Sequence, residues 1–194
     1  EYRRLVGDLY AEVRALPPQA GWRRWCRVRN ELFRHHPQSP LSERDRESFG
    51  GLHSYPYDPG MRFEAAVDPA DGAPIDLEHS GIGTTRAVPF GTVAFEVAGL
   101  EVSLMLYRLE QYGNGVFLPF RDATSGTETY GGGRYLLDTA KGADLGHHHD
   151  AAVLDFNFAY HPSCVHDPRW SCPLAPPANR INAPILAGER LSPA

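Results

Sequence analysis

The chain has 194 residues, 42% hydrophobic and 22% charged, which excludes disorder of the whole chain. Its formal net charge is −5, and its one basic stretch, Arg23-Arg24-Trp25-Cys26-Arg27-Val28-Arg29, is too short to form a nucleic-acid-binding face. No apolar run is long enough to cross a bilayer, no leader-like segment opens the chain, and Cys26, Cys164 and Cys172 are too few for a disulfide scaffold; a cytoplasmic location with no membrane partner is expected.

Leu5, Leu9, Val13 and Leu16 recur at helical spacing, predicting a helix over 1–16 that Pro17-Pro18 ends. A second helix is predicted over 21–35, with Trp22, Trp25, Val28 or Arg29, and Leu32-Phe33 as its apolar stripe. Ser42 before Glu43 predicts a capped helical turn. After Gly50-Gly51 the pattern changes to short runs rich in Val, Phe, Tyr and Leu, punctuated by Gly and Pro. Strands are predicted over 62–67, 89–97, 100–109, 116–120, 134–137, 151–156 and 183–187. Ala98-Gly99 reads as a tight hairpin turn, although alanine suits a positive φ poorly. Short connections imply antiparallel pairing. The expected fold class is mainly β (α+β): a curled antiparallel sheet or small β-barrel with N-terminal helices packed on it. One domain is expected over 1–194, with a helical segment at 1–50 and a β core at 51–194. The proline-rich stretch 173–184 is expected to run extended across the surface.

Several phrases recur in a recognisable order. They are Phe117-Leu118-Pro119-Phe120-Arg121-Asp122, Thr129-Tyr130-Gly131-Gly132-Gly133-Arg134-Tyr135-Leu136, Asp155-Phe156-Asn157-Phe158-Ala159-Tyr160, Pro162-Ser163-Cys164, Cys172-Pro173-Leu174 and Ala187-Gly188-Glu189. Ser39-Pro40-Leu41 and Phe49-Gly50-Gly51-Leu52 fit upstream. Over roughly residues 22–190 the chain resembles the prokaryotic domain-of-unknown-function family numbered 1684. The resemblance implies one family and one domain, and no reaction. His161 stands where the family pattern has Asn, His166 stands where it has an aromatic residue, and His147-His148-His149 is peculiar to this chain.

Four constellations carry candidate chemistry. The polar loop from Arg121 to Arg134 holds Thr124, Thr129 and Tyr130 between two guanidinium groups that could grip an anion; the alternative is a polar loop in which Arg121 pairs with Asp122 or Glu128 and the glycines permit a bulge. Asp155 lies inside an apolar run, with Asn157 and Tyr160 just beyond. A carboxylate there pairs with an arginine, accepts several hydrogen bonds or has a raised pKa, unless strand alternation turns it to solvent. Strand order suggests that the strand of Arg134 lies beside that of Asp155, so the two are expected to share a pocket. Cys164 and Cys172 are expected to lie close and reduced, Cys164 being the candidate reactive thiolate. The metal-ligand candidates are His147, His149, His161, Cys164 and His166.

The leading functional expectation is a small-molecule-binding β domain, with an enzyme acting on an acidic small molecule as its stronger form. In that form Arg121, Thr124, Thr129, Tyr130, Arg134 and Asn157 bind the ligand, and Asp155, Tyr160 and Cys164 supply acid–base or nucleophilic groups. The alternatives are a metal-dependent enzyme with His and Cys ligands, a flavin-binding barrel oxidoreductase and a non-catalytic interaction module. The cofactor and the oligomeric state stay open.

Overall fold

A computed structural model describes residues 1–192. Two helices come first: α1 (Tyr2–Arg14) and α2 (Pro18–His35), with Pro17-Pro18 at the joint where proline starts a helix without losing a needed N–H. The short α3 (Glu43–Glu47) is capped by Ser42, whose hydroxyl accepts from the Asp45 amide. Ten strands follow: β1 (His53–Ser54), β2 (Arg62–Pro69), β3 (Ile75–Glu78), β4 (Thr84–Val97), β5 (Leu100–Leu109), β6 (Gly115–Phe120), β7 (Arg134–Asp138), β8 (His147–His148), β9 (Ala151–Asp155) and β10 (Glu189–Arg190). No helix of the described residues is long and apolar enough to cross a membrane.

Eight strands form one antiparallel sheet in the order β7-β6-β5-β4-β2-β9-β8, with β3 on the flank of β4. Strand β4 serves two neighbours in turn: β3 along Thr84–Ala87 and β2 from Gly91 to Val93. A register shift between Pro89 and Gly91 separates them. Proline there offers no ladder N–H, and a side chain at 91 would lie 2.8 Å from Val67 Cγ1. Ala98 (φ 52) and Gly99 (φ 75) are both left-handed and turn β4 into β5, so the tight turn forms in spite of the alanine.

The sheet curls until its ends approach. Edge strand β7 meets the segment following β9, where Tyr135 and Tyr160 exchange both backbone hydrogen bonds (2.9 and 3.0 Å). Inside the curl pack Val93, Leu104, Leu118, Phe120, Leu154 and Phe156. Outside it, Val6, Leu9, Tyr10 and Val13 of α1 and Trp25 and Leu32 of α2 pack on Phe117, Tyr135, Phe158 and Tyr160. The mainly β fold with helices packed on a curled antiparallel sheet is therefore present.

Three expectations need correction. Strands β7 and β9 are not neighbours, because β9 pairs with β2 and β8. The segment 173–184 is only half on the surface: Pro177, Ala178, Arg180, Asn182 and Pro184 are exposed, and the residues between them turn inward. Ala175, Asn179, Ile181 and Ala183 are buried, and the Asn179 side chain donates to the carbonyls of Met105 and Pro119 and accepts from the Met105 amide. One carboxamide thus satisfies backbone groups of two strands. The predicted strand 183–187 forms no ladder either, since its backbone groups are claimed by side chains: Asp122 takes the Ile185 amide, and Arg134 takes the carbonyls of Ile185 and Ala187.

Gly188 lets this segment cross the closure. Its φ is +76, and a Cβ there would sit 2.5 Å from the Ala159 carbonyl oxygen. Gly188→Ala is expected to lower unfolding stability by at least about 1–3 kcal/mol, whereas Gly50→Ala, with nothing within 4 Å, leaves it nearly unchanged. Urea denaturation of the two variants checks this.

Candidate functional site

Where the helices lean on the closed edge of the sheet they leave a cavity of about 520 Å³. Helix α1 contributes Tyr2, Arg3 and Tyr10, and α2 contributes Arg29 and Phe33. Phe117, Tyr135 and Asp138 come from the sheet, Lys141 from the turn after β7, and Tyr160, His161 and Cys172 from the C-terminal loops. The seat of α1 depends on a close approach: a Cβ at Gly142 would lie 2.6 Å from Gly7 Cα.

Arg29 forms the floor. It lies on the apolar stripe of α2 and is buried. Its guanidinium is ringed by Trp25 (4.9 Å), Phe33 (5.3 Å) and Tyr160 (4.9 Å). Nε and Nη2 donate to one oxygen of Glu189 at 2.8 and 2.6 Å. The other Glu189 oxygen accepts the His161 backbone N–H at 2.8 Å. Burial pushes Glu189 upward, but Arg29, helped by the His161 backbone N–H, holds it below its ordinary value. Arg29 Nη1 has no hydrogen-bond partner among the described residues.

The wall beside it is also polar. Asp138 accepts from Lys141 Nζ at 2.7 Å and from the Tyr160 hydroxyl at 3.3 Å. Burial first, then Asp138, holds the Tyr160 phenol protonated well above its ordinary range, so Tyr160 acts as a donor. Tyr135 donates its hydroxyl to the Pro173 carbonyl at 2.6 Å. His161 Nε2 accepts the Tyr130 amide at 3.2 Å, which requires the neutral ring. Burial lowers its pKa to about 4.

Of the residues marked from sequence, Tyr160, His161 and Cys172 line this cavity and the others do not. Arg134 and Asp155 do not share a pocket. Arg134 is buried, donates to carbonyls of Ile185, Ala187 and Glu189, and faces Asp122 at 3.5 Å. Asp155 pairs with Arg62 at 3.1 Å and accepts from Asn157; burial raises its pKa against those contacts. The expected juxtaposition fails because β2 supplies the cation across the ladder, with Arg62 opposite Asp155. Thr124 and Thr129 form a closed knot around Asp122, Thr124 Oγ1 lying 2.8 Å from the carboxylate and 2.9 Å from Thr129. Arg121 binds the C-terminal segment through its backbone, and Tyr130 turns its hydroxyl toward Cys164 at 4.0 Å. Asn157 ties Asp58 to Asp155.

Among the described residues, no group of three or more His, Cys, Asp or Glu is arranged to hold a metal ion. His147 and His149 are exposed at or beside β8, while His161 is buried near Glu189 and His166 packs edge-on against Phe33 at 4.8 Å. Arg29, Asp138, Lys141 and Glu189 escaped the sequence reading. The one legible signal was an arginine on the apolar stripe of the second helix.

Two outcomes follow from the buried charges. Glu189→Gln strands Arg29 without its counter-charge and is expected to cost about 3–5 kcal/mol of stability, read from urea midpoints. His161 is neutral in the fold with a pKa near 4, whereas an unfolded histidine takes up a proton near pH 6.5. The unfolded chain therefore binds more protons as pH falls from about 6.5 to about 4, and stability drops across that window, on the order of 3 kcal/mol. His161→Asn should flatten that part of the stability–pH curve.

The model of the family described as "Protein of unknown function (DUF1684)" matches residues 47–190. A solution NMR structure of the uncharacterized protein from gene locus rrnAC0354 of Haloarcula marismortui is similar, with 34% identity and a TM-score of 0.65. The alignment covers 89% of this chain and 94% of that one. No curated protein matches the chain significantly. A family match across most of the β core, joined to a solved relative of nearly the same extent, places this chain in the DUF1684 family.

Proposed function

We propose that the chain binds a small molecule with a flat apolar body and an acidic group in the cavity between its helices and its sheet. The observation that carries this is Arg29. It is a buried cation at the floor of a space of about 520 Å³, with one guanidinium nitrogen unclaimed by the described residues. That volume lies in the range of ordinary ligand sites. Phe117, Tyr135 and Tyr160 supply aromatic walls, and Lys141 and Arg3 add positive charge. A ligand carboxylate or sulfonate would take a charge-assisted hydrogen bond from Arg29 or Lys141. Asp138 would compete with it for Lys141, which favours ligands whose acid reaches past Asp138 to the floor.

This reading keeps the expected combination of arginine, aspartate and tyrosine. It moves the combination to Arg29, Asp138 and Tyr160 and leaves Arg121, Arg134 and Asp155 as braces. Naphthoate and anilinonaphthalene sulfonate are suitable probes, with naphthalene methanol as the neutral comparison. Calorimetry should show both acids binding and the neutral analogue binding at least tenfold more weakly. Lys141→Met, a change at a half-exposed side chain, should weaken the acids by about tenfold, the worth of one charge-assisted hydrogen bond. Equal binding of acid and neutral probes, or none by either, would overturn the proposal.

A further inference from the structure

The cavity holds a second buried charge, opposite in sign to its floor. Asp138 ends β7, and its side chain is only 5% exposed. Its backbone is fixed twice: it pairs with Phe117 in the ladder and exchanges both hydrogen bonds with Ala143 at 3.0 Å. Only one carboxylate oxygen is engaged. Oδ2 accepts from Lys141 Nζ at 2.7 Å and from the Tyr160 hydroxyl at 3.3 Å, while Oδ1 has no hydrogen-bond partner among the described residues. Arg29, whose side chain is 9% exposed, is half-engaged in the same way, because Glu189 takes Nε and Nη2 alone. Both residues line the cavity. Tyr160 stands between them. Its ring centre lies 4.9 Å from the Arg29 guanidinium carbon, and its hydroxyl meets Asp138. A molecule that reaches from one charge to the other therefore passes along the Tyr160 ring.

We propose that Asp138 is a second recognition point and that the ligand is a hydroxylated aromatic acid. This rests on acid binding in the cavity. The acid would sit at Arg29, and a hydroxyl at the far end of the ring system would donate to Asp138 Oδ1. A buried carboxylate with an oxygen left over needs a donor from water or from a ligand. Two phenols of the lining are already committed: Tyr160 donates to Oδ2, and Tyr135 donates to the Pro173 carbonyl at 2.6 Å.

Lys141 decides the class of donor. A ligand ammonium would approach a carboxylate that already holds a cation at 2.7 Å, and like charges at that range repel. A neutral hydroxyl meets no such repulsion and gains a charge-assisted hydrogen bond. A ligand of the same size with no donor would leave Oδ1 buried and unsatisfied. The wall between the two points is aromatic: Phe117 and Tyr135 meet edge-on at 4.7 Å, and Tyr135 and Tyr160 at 5.7 Å. A flat body packs there, and the polar groups at its ends set its direction. The reversed pose would place carboxylate against carboxylate at Asp138, so one orientation is selected.

Calorimetry with 2-naphthoate, 6-hydroxy-2-naphthoate and 6-methoxy-2-naphthoate tests this. The hydroxy acid should bind about tenfold more tightly than naphthoate, the worth of a hydrogen bond to a charged group. The methoxy acid carries an oxygen at the same place but no proton to give, and should bind no better than naphthoate. In Asp138→Asn, Lys141 and the Tyr160 hydroxyl both donate, so they hold the amide oxygen and leave the amide nitrogen for the ligand. That nitrogen donates to a hydroxyl or a methoxy oxygen alike, and the two acids should then bind within about threefold of each other. Should the variant misfold, nuclear Overhauser contacts in the wild-type complex with the hydroxy acid serve instead. Protons beside the hydroxyl should meet Lys141, and protons beside the carboxylate should meet Arg29 and Phe33. Naphthoate binding with no gain for the hydroxy acid would overturn this inference and leave the acid-binding cavity standing. Failure of all three probes to bind would overturn both. A hydroxy preference that survives Asp138→Asn, or the reversed orientation in the complex, would also overturn the role of Asp138.

Discussion

A cation buried on α2 needs a counter-charge, and the chain supplies it 160 residues later. Arg29 and Glu189 join the second helix to the C-terminal segment, with both side chains nearly out of solvent. Removing two charges from water is expensive, so the pair needs support from its surroundings. Aromatic rings cover the guanidinium faces, and the His161 amide satisfies the second carboxylate oxygen. Helix docking, the course of the C-terminal segment and the cavity floor all depend on this contact.

The same segment is threaded along a second set of polar anchors. Arg134 and Asp122, both buried, grip its backbone at Ile185, Ala187 and Glu189. Asn179 does the same to β5 and β6. Side chains here replace the ladder partner that a regular strand would provide. Such a path demands directional hydrogen bonds at each step, which accounts for the invariably polar character of these anchors among apolar neighbours. It also explains why the cavity opens on the helical side: the inside of the curl is filled by packed aliphatic and aromatic groups.

Tyr160 links these features. Its backbone closes the sheet against Tyr135, its ring covers Arg29, and its hydroxyl meets Asp138. A residue engaged in three ways is strongly constrained in position, and a protonated phenol at that place orients the Asp138 carboxylate toward the cavity wall. Conversely, the polar knot of Asp122, Thr124 and Thr129 has its hydrogen-bonding capacity consumed internally. It stiffens the loop between β6 and β7 and has little left to offer a ligand.

The order of elements was legible without coordinates because it depends on local periodicity. Leu5, Leu9 and Val13 mark one helical face, and the run 100–109 reads as a strand and is one, Leu100–Leu109. The tight turn at Ala98-Gly99 follows from two apolar runs meeting at a glycine. Family phrases likewise survive in a linear reading, since they are contiguous. The short β3 and β8 and the pairing of β9 with β2 were not legible: a two- or four-residue strand has no measurable period, and a ladder partner is chosen by global curl. For the candidate site, Tyr160 and Cys172, both singled out in the sequence, line the cavity. The sequence could not tell Arg134, whose two terminal nitrogens are taken by backbone carbonyls, from Arg29, which lines a cavity. Residue type and spacing determine which groups could carry a charge inward; only the tertiary structure decides which partner satisfies each charge, because packing brings those partners together from distant parts of the chain, 160 residues apart for Arg29 and Glu189.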